Sequence, residues 1–259
     1  MRQQSTSPAR LHGSDDERSG STRASPVRSV ADALVDVLRD LGVREAFGIV
    51  GGAIAPFCDV LSKRSRPHPS SSSSPSPSSP SSPSSPSSPQ SHAAPAVGPR
   101  VFAMRHEAGA AFAAVEASIA GDRPTCVFTT TGPGLTNALT GIYAARGEGA
   151  RVVVVCGATG PAQRGRGAVQ EVSDLAGAPA FAADHVRGAF DVVVTLESPA
   201  ELPAIANRLS RGFSDTRGFT ALIALQISVQ RAPCPVEVRT PSVRGFPVRA
   251  TSSTIAGGL

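Results

Sequence analysis

Short apolar runs alternate with stretches of helical periodicity along most of this chain, and this alternation limits the fold more than any other feature. The predicted strands cover residues 45–50, 101–104, 125–130, 151–156, 191–196 and 219–225. The predicted helices cover residues 30–41, 53–61, 108–120, 132–145 and 198–211. Strands that alternate with helices predict an α/β fold with a doubly wound, mainly parallel sheet and helices on both of its faces. The run that ends at Cys156 holds five apolar residues in succession, as expected for a strand that is covered on both sides.

Three low-complexity segments lie outside this pattern. Residues 1–27 are polar and rich in Ser, Pro and Gly, which predicts a disordered tail. Residues 65–99 contain a Ser-Ser-Pro repeat and are predicted to be a flexible insert within a domain that spans residues 28–230. A long insertion in a connecting loop costs little free energy. Residues 231–259 are rich in Pro, Ser and Arg and are predicted to be a linker-like tail.

Composition excludes several functional classes. No apolar run approaches the roughly 18 residues of a membrane span, and residues 1–29 lack the apolar core of a secretory signal. The net charge of +5 comes from arginines that are scattered and not interleaved with aromatic residues, so no nucleic-acid partner is expected. The four cysteines show neither a disulfide framework nor the spacing of a zinc site. We therefore expect a cytoplasmic protein with no membrane partner and no metal ligands of its own.

Unusual residues occupy three of the predicted junctions between strands and helices. They are Gly48–Gly52, Arg105–Glu107 and Thr131–Gly134. Ligands of an open parallel sheet bind beyond the carboxyl ends of its strands, and glycines let the backbone approach a ligand closely. The sequence therefore predicts a ligand crevice with Glu107 as its chemical group.

Two common nucleotide-binding motifs do not account for these junctions. A P-loop needs a lysine after its second glycine, whereas the only lysine, Lys63, follows Ser62. A dinucleotide fingerprint needs a third glycine, and the segment from Gly132 to Asn137 lacks it. The strand that ends at Cys156 is also not followed by a carboxylate that could hold a ribose.

Together the junctions resemble the N-terminal, pyrimidine-binding (PYR) domain of thiamine-diphosphate enzymes, in particular the acetolactate synthase branch. The resemblance covers about residues 28–230 apart from the insert. Its motifs are Gly51-Gly52-Ala53-Ile54, Arg105-His106-Glu107-Ala108-Gly109-Ala110, Thr131-Gly132-Pro133-Gly134-Leu135-Thr136-Asn137, Gln170-Glu171 and Ile227-Ser228-Val229-Gln230.

The resemblance implies a role for each site residue. In the family, the carboxylate at the position of Glu107 hydrogen-bonds a ring nitrogen of the cofactor's aminopyrimidine, and the cofactor performs the carbon chemistry. Residues lining the aminopyrimidine pocket would be Thr131, Gly132, Pro133 and Gly134, and residues near the substrate would be Gly51, Gly52 and Gln170. Asn137 would stabilise the turn, and His106 would start a helix or support catalysis. Two alternatives from the residues alone stay open, namely that Glu107 is a surface carboxylate in a first helical turn and that Gln170 is a surface loop residue.

The implied function is one half of a thiamine-diphosphate site in a 2-oxo acid decarboxylase or carboligase, with both transferase and lyase chemistry in the family. The family binds the diphosphate through Mg²⁺ on a second domain marked by Gly-Asp-Gly, a motif this sequence does not contain. We therefore expect a diphosphate-binding domain or subunit as partner, in a homo- or hetero-oligomer. FAD is a further cofactor by family analogy, although Gly157-Ala158-Thr159-Gly160 replaces the family's Thr/Ser-Gly-Gln. The alternatives are a non-catalytic remnant or interaction domain with the same fold, and a different α/β binding module.

Overall fold

A computed structural model describes residues 28–65, 98–171, 188–215 and 217–240. The predicted tail 1–27 lies outside the described residues, as do most of the predicted insert 65–99 and most of the predicted tail 231–259.

The six strands and five of the α-helices follow the order that the sequence predicts, whereas the short helix at Ile227–Arg231 was not predicted. The strands are β1 (Glu45–Gly48), β2 (Arg100–Ala103), β3 (Thr125–Thr129), β4 (Arg151–Ala158), β5 (Val192–Leu196) and β6 (Phe219–Gln226). The helices are α1 (Val30–Asp40), α2 (Ala55–Arg64), α3 (Glu107–Gly121), α4 (Pro133–Glu148), α5 (Leu202–Phe213) and α6 (Ile227–Arg231). Short 3₁₀-helices at Gly52–Ile54 and Pro199–Glu201 precede α2 and α5.

All six strands form one parallel sheet in the order β2-β1-β3-β4-β6-β5. In its first part Phe47 of β1 lies opposite Phe102 of β2 on one side and Val127 of β3 on the other. This architecture confirms the predicted α/β fold class.

Helices cover both faces of the sheet, and β4 shows how one strand serves both. Val153 and Val155 pack into the core beneath α1, α2, α5 and α6. Val152 and Val154 point the other way, into the core that α3 and α4 cover. Because successive strand residues face opposite sides, two buried faces require an unbroken apolar strand. The predicted double coverage of this strand is confirmed.

Two helices begin at the capping boxes that their sequences encode. The Ser29 side chain accepts a hydrogen bond from the Asp32 N–H, and the Asp32 carboxylate accepts one from the Ser29 N–H in return. Ser198 and Glu201 form the same reciprocal pair and open the 3₁₀ turn that leads into α5.

Gln230 fixes the end of the described domain against the start of α2. Its side chain is fully buried, donates to the Ala53 carbonyl at 2.7 Å and accepts from the Phe57 N–H at 3.2 Å. The chain then runs beside its own beginning, where the Cys234 N–H donates to the Arg28 carbonyl. The first residues of the predicted tail 231–259 thus pack on the domain.

All four cysteines are buried and carry free thiols, as is common for cysteines that pack as small apolar residues. Among the residues that the structure describes, no helix combines the length and apolarity needed to cross a bilayer.

Candidate functional site

The strand order opens a crevice between the carboxyl ends of β1 and β3. The chain leaves β1 toward β2 on one side, whereas it leaves β3 toward β4 on the other. Such a reversal is where open α/β sheets bind their ligands. A Cβ added to Gly51, after β1, would lie only 2.6 Å from the Cβ of Thr130, after β3. The two predicted turns therefore meet at this crevice, and their close approach requires the glycine.

The turn after β3 has a backbone shape that only glycine adopts readily. Gly132 has φ 64° and ψ −117° and leads directly into α4. Pro133 is the first residue of that helix, a position where a missing N–H costs nothing. This geometry accounts for the Gly-Pro pair in the motif, and the N–H groups of Leu135 and Thr136 both donate to the Gly132 carbonyl at the start of α4.

Glu107 is the first residue of α3 and is only 9% exposed. Asn137 Nδ2 of α4 donates a hydrogen bond to Glu107 Oε2 at 3.2 Å. Oε1 accepts no hydrogen bond from any residue that the structure describes. A Cβ added to Gly134 would lie 3.4 Å from Oε1, so the glycine brings the α4 backbone close to this oxygen. The carboxylate is thus held on one oxygen and available on the other, which does not match the alternative of a surface glutamate.

His106 is the N-cap of α3. Its Nδ1 accepts a hydrogen bond from the Ala108 N–H at 3.1 Å, while the side chain is exposed. This contact supports the helix-start interpretation of His106.

The loop after β4 is joined to the turn after β3 by one hydrogen bond. The Thr131 hydroxyl donates to the backbone carbonyl of Gln170 at 2.9 Å. Gln170 is exposed and has a left-handed backbone with φ 55°. The backbone of Gln170 is therefore close to the turn after β3. Gly52 is the first residue of the 3₁₀ turn that follows β1.

Two site residues have contacts that the sequence did not reveal. Asn137, predicted to stabilise the turn, instead donates to Glu107. Thr130 packs against both glycine turns, since a Cβ on Gly134 would also lie 3.2 Å from its Cγ2. The spacing of Asn137 could have indicated its contact with Glu107. Asn137 stands three residues after Gly134, and residues three apart lie on the same face of a helix.

Cys156 lies behind the crevice and contributes no nucleophile to it. Its thiol donates to the Thr130 carbonyl at 3.2 Å. Burial raises the pKa of the Cys156 thiol to about 11, so the thiol is neutral at pH 7. Within the described ranges, no group of three or more His, Cys, Asp or Glu side chains could hold a metal ion.

The chemistry of Glu107 suits the aminopyrimidine end of thiamine diphosphate, because a buried carboxylate with one available oxygen can share a proton with a ring nitrogen.

Comparison with known proteins gives the same assignment. The family model described as "Thiamine pyrophosphate enzyme, N-terminal TPP binding domain" matches residues 28–72 and 81–178, which is more than half of the chain. A 2-hydroxyacyl-CoA lyase 2 from Danio rerio is 28% identical over 153 residues, which cover 59% of this chain and 19% of that protein. A 2-hydroxyacyl-CoA lyase 2 from Xenopus laevis is 38% identical over 76 residues, 29% of this chain and 12% of that protein.

An acetolactate synthase from Bacillus subtilis (strain 168) is 29% identical over 127 residues, 49% of this chain and 16% of that protein. In each case the match spans less than a fifth of the relative's length. The glycine turns, the held carboxylate and the family match agree, and the chain belongs to the thiamine pyrophosphate enzyme family through its N-terminal TPP-binding domain.

Proposed function

We propose that this chain supplies the aminopyrimidine half of a thiamine-diphosphate site in a 2-oxo acid decarboxylase or carboligase of acetolactate synthase type. The observation that carries the proposal is the carboxylate of Glu107, buried at the crevice with Oε2 held by Asn137 and Oε1 available. The similarity to an acetolactate synthase over about half of the chain supports the reaction type.

Each residue of the crevice has a defined task in this proposal. Thiamine diphosphate supplies, when bound, a carbon nucleophile toward the carbonyl of a 2-oxo acid. Glu107 holds a proton at a ring nitrogen of the aminopyrimidine, and Asn137 fixes the orientation of that carboxylate. Thr131, Gly132, Pro133 and Gly134 form the wall beside the ring. Close packing around the carboxylate limits competition from water for the proton.

We further propose that Gly51, Gly52 and Gln170 lie near the substrate. Gly51 and Gly52 follow β1 at the crevice, and Gln170 is tied to it through Thr131. The neighbouring Val50 is 62% exposed and would add an apolar contact at the same edge.

The diphosphate end of the cofactor, with its Mg²⁺, is assigned in this proposal to a second domain or subunit. The outer side of α3 and α4, which carry Glu107 and Asn137, supports such a partner. Phe112 of α3 is 42% exposed and Tyr143 of α4 is 44% exposed. A contiguous exposed apolar surface is typical of protein contact sites, and these two side chains lie on helices that pack against each other.

Calorimetric titration of the full chain tests the half-site. We expect thiamine, which has no diphosphate, to bind, because its aminopyrimidine meets the Glu107 crevice. We expect added Mg²⁺ to change the affinity for thiamine diphosphate by less than about threefold, or ~0.6 kcal/mol. Absence of thiamine binding would contradict the cofactor role. A Mg²⁺-dependent gain of about tenfold or more would show that the chain holds the diphosphate itself and would contradict the half-site.

A further inference from the structure

A cavity lies at the amino ends of β5 and β6, whereas Glu107 lies at the carboxyl ends of the strands. It has a volume of about 630 Å³ and is lined by the first residues of β5 and β6 and by residues of α4 and α5. Its charged lining residues are Arg146, Arg208, Arg211, Arg217, Asp191 and Asp215. The cavity is separated from the cofactor crevice by the length of the strands, about 25 Å for the eight-residue strands at the middle of the sheet.

The two carboxylates of the cavity are already engaged. Asp191 Oδ1 accepts from Arg146 at 2.7 Å, and its Oδ2 accepts from the N–H of Thr220 at 2.8 Å. Asp215 accepts from the backbone N–H of Arg217 at 2.9 Å and from its guanidinium at 3.4 Å. Four guanidinium groups against two carboxylates leave two positive charges uncompensated.

Arg208 and Arg211 carry that excess charge. They stand three residues apart on α5, which places them on one side of the helix. Both are exposed, and neither guanidinium group makes a hydrogen bond or an ion pair with any residue in the described part of the chain. The negative carboxyl end of a helix favours an arginine in the last turn, which accounts for Arg211 but not for Arg208, one turn earlier.

The chemistry of the cavity suits a phosphate-bearing ligand. Guanidinium groups match phosphate oxygens in charge and in bidentate geometry, and the volume lies in the range of small-molecule sites. We propose that this cavity binds a diphosphate group, held by Arg208 and Arg211, as free pyrophosphate or as part of a nucleoside diphosphate. This site is additional to the cofactor crevice and does not depend on the function proposed for it.

Titration of the full chain with pyrophosphate at low ionic strength tests the proposal, because salt screens exposed charges. The test variant is R208A/R211A. The control is R166A/R231A, which removes two other exposed arginines and so changes the net charge equally. We expect the test variant to weaken pyrophosphate binding about tenfold or more, and the control to weaken it less than about twofold. Thermal unfolding of each variant checks that it is folded.

Further titrations distinguish free pyrophosphate from a nucleoside diphosphate as the ligand, and distinguish this cavity from the Glu107 crevice. Equal binding of ADP and pyrophosphate would indicate recognition of the diphosphate alone, while tighter binding of ADP would assign the site to a nucleotide. Glu107→Gln is expected to keep the affinity for pyrophosphate. Full retention of affinity by folded R208A/R211A, an equal loss in the control, or a loss in Glu107→Gln would overturn the proposal. Binding of inorganic phosphate as tightly as pyrophosphate would also overturn it.

Discussion

Glu107 and Asn137 belong to different helices, yet one hydrogen bond of 3.2 Å joins their side chains at the crevice. Asn137 engages Oε2, so Oε1 is the oxygen that stays available for a further hydrogen bond. The sequence predicted that Glu107 lies at the carboxyl edge of the sheet, because its junction follows an apolar strand and precedes a helix. The sequence did not predict the contact with Asn137, since that contact depends on how closely α3 and α4 pack.

Replacement of Asn137 by alanine tests this contact at the residue scale. We expect Asn137→Ala to weaken thiamine binding by about three- to tenfold, because a typical hydrogen bond has a net contribution of about 0.5–1.5 kcal/mol. The free energy of unfolding is expected to change by less than ~1 kcal/mol, since Asn137 lies in an exposed position. Thr136→Ala, one residue away and also exposed, is the control and is expected to leave the affinity unchanged. Equal affinity in wild type and Asn137→Ala would contradict the orienting role.

At the scale of elements, the distance between α3 and α4 decides how Glu107 meets the glycine turn. A Cβ added to Gly141 of α4 would lie 2.5 Å from the Cβ of Ala111 in α3. The two helices therefore pack with almost no side chain between them at this point. The many alanines of residues 108–120 are typical of a helix that packs closely on its neighbours, and Ala110, Ala111 and Ala114 are indeed buried. The sequence did not predict that α4 is the helix that packs against α3, because small residues indicate close packing but not which element is packed against them.

Gly141→Ala is the substitution that tests this packing. We expect it to lower the free energy of unfolding by about 1–3 kcal/mol, because the added methyl must push the helices apart. It should also weaken thiamine binding, since Glu107 and Gly134 would separate. The matched control is Gly147→Ala on the same helix, where a new Cβ would meet nothing within 4 Å. Urea unfolding should show that Gly147→Ala raises stability by about 0.5–1 kcal/mol, and similar losses in both variants would contradict the packing argument.

At the scale of the whole molecule, the two ends of the strands carry different chemistry. The glycine turns and Glu107 lie at the carboxyl ends of the strands, and a cavity lined by four arginines lies at the amino ends of β5 and β6. The alternation of strands and helices was enough to predict the parallel sheet. It did not predict that β6 lies inside the sheet and β5 at its edge, because strand order depends on how the helices pack. The arginines looked scattered in sequence, since α4, α5 and the segment before β6 bring them together only in the fold.

The central claim is that Glu107 binds the aminopyrimidine of the cofactor. Calorimetric titration of thiamine into the full chain, its Glu107→Gln variant and its Glu116→Gln variant tests it most directly. Glu107→Gln keeps the shape of the side chain, and the new amide oxygen could still accept from Asn137, but the amide could not share a proton. Glu116 lies on the same helix and is exposed, so its change to Gln removes the same charge away from the crevice.

We predict that Glu107→Gln weakens thiamine binding about tenfold or more, as expected for loss of a charge-assisted hydrogen bond of about 1.5–3 kcal/mol. Glu116→Gln should stay within about twofold of the wild type. Equal affinities for wild type and Glu107→Gln, or equal losses in the two variants, would contradict the claim.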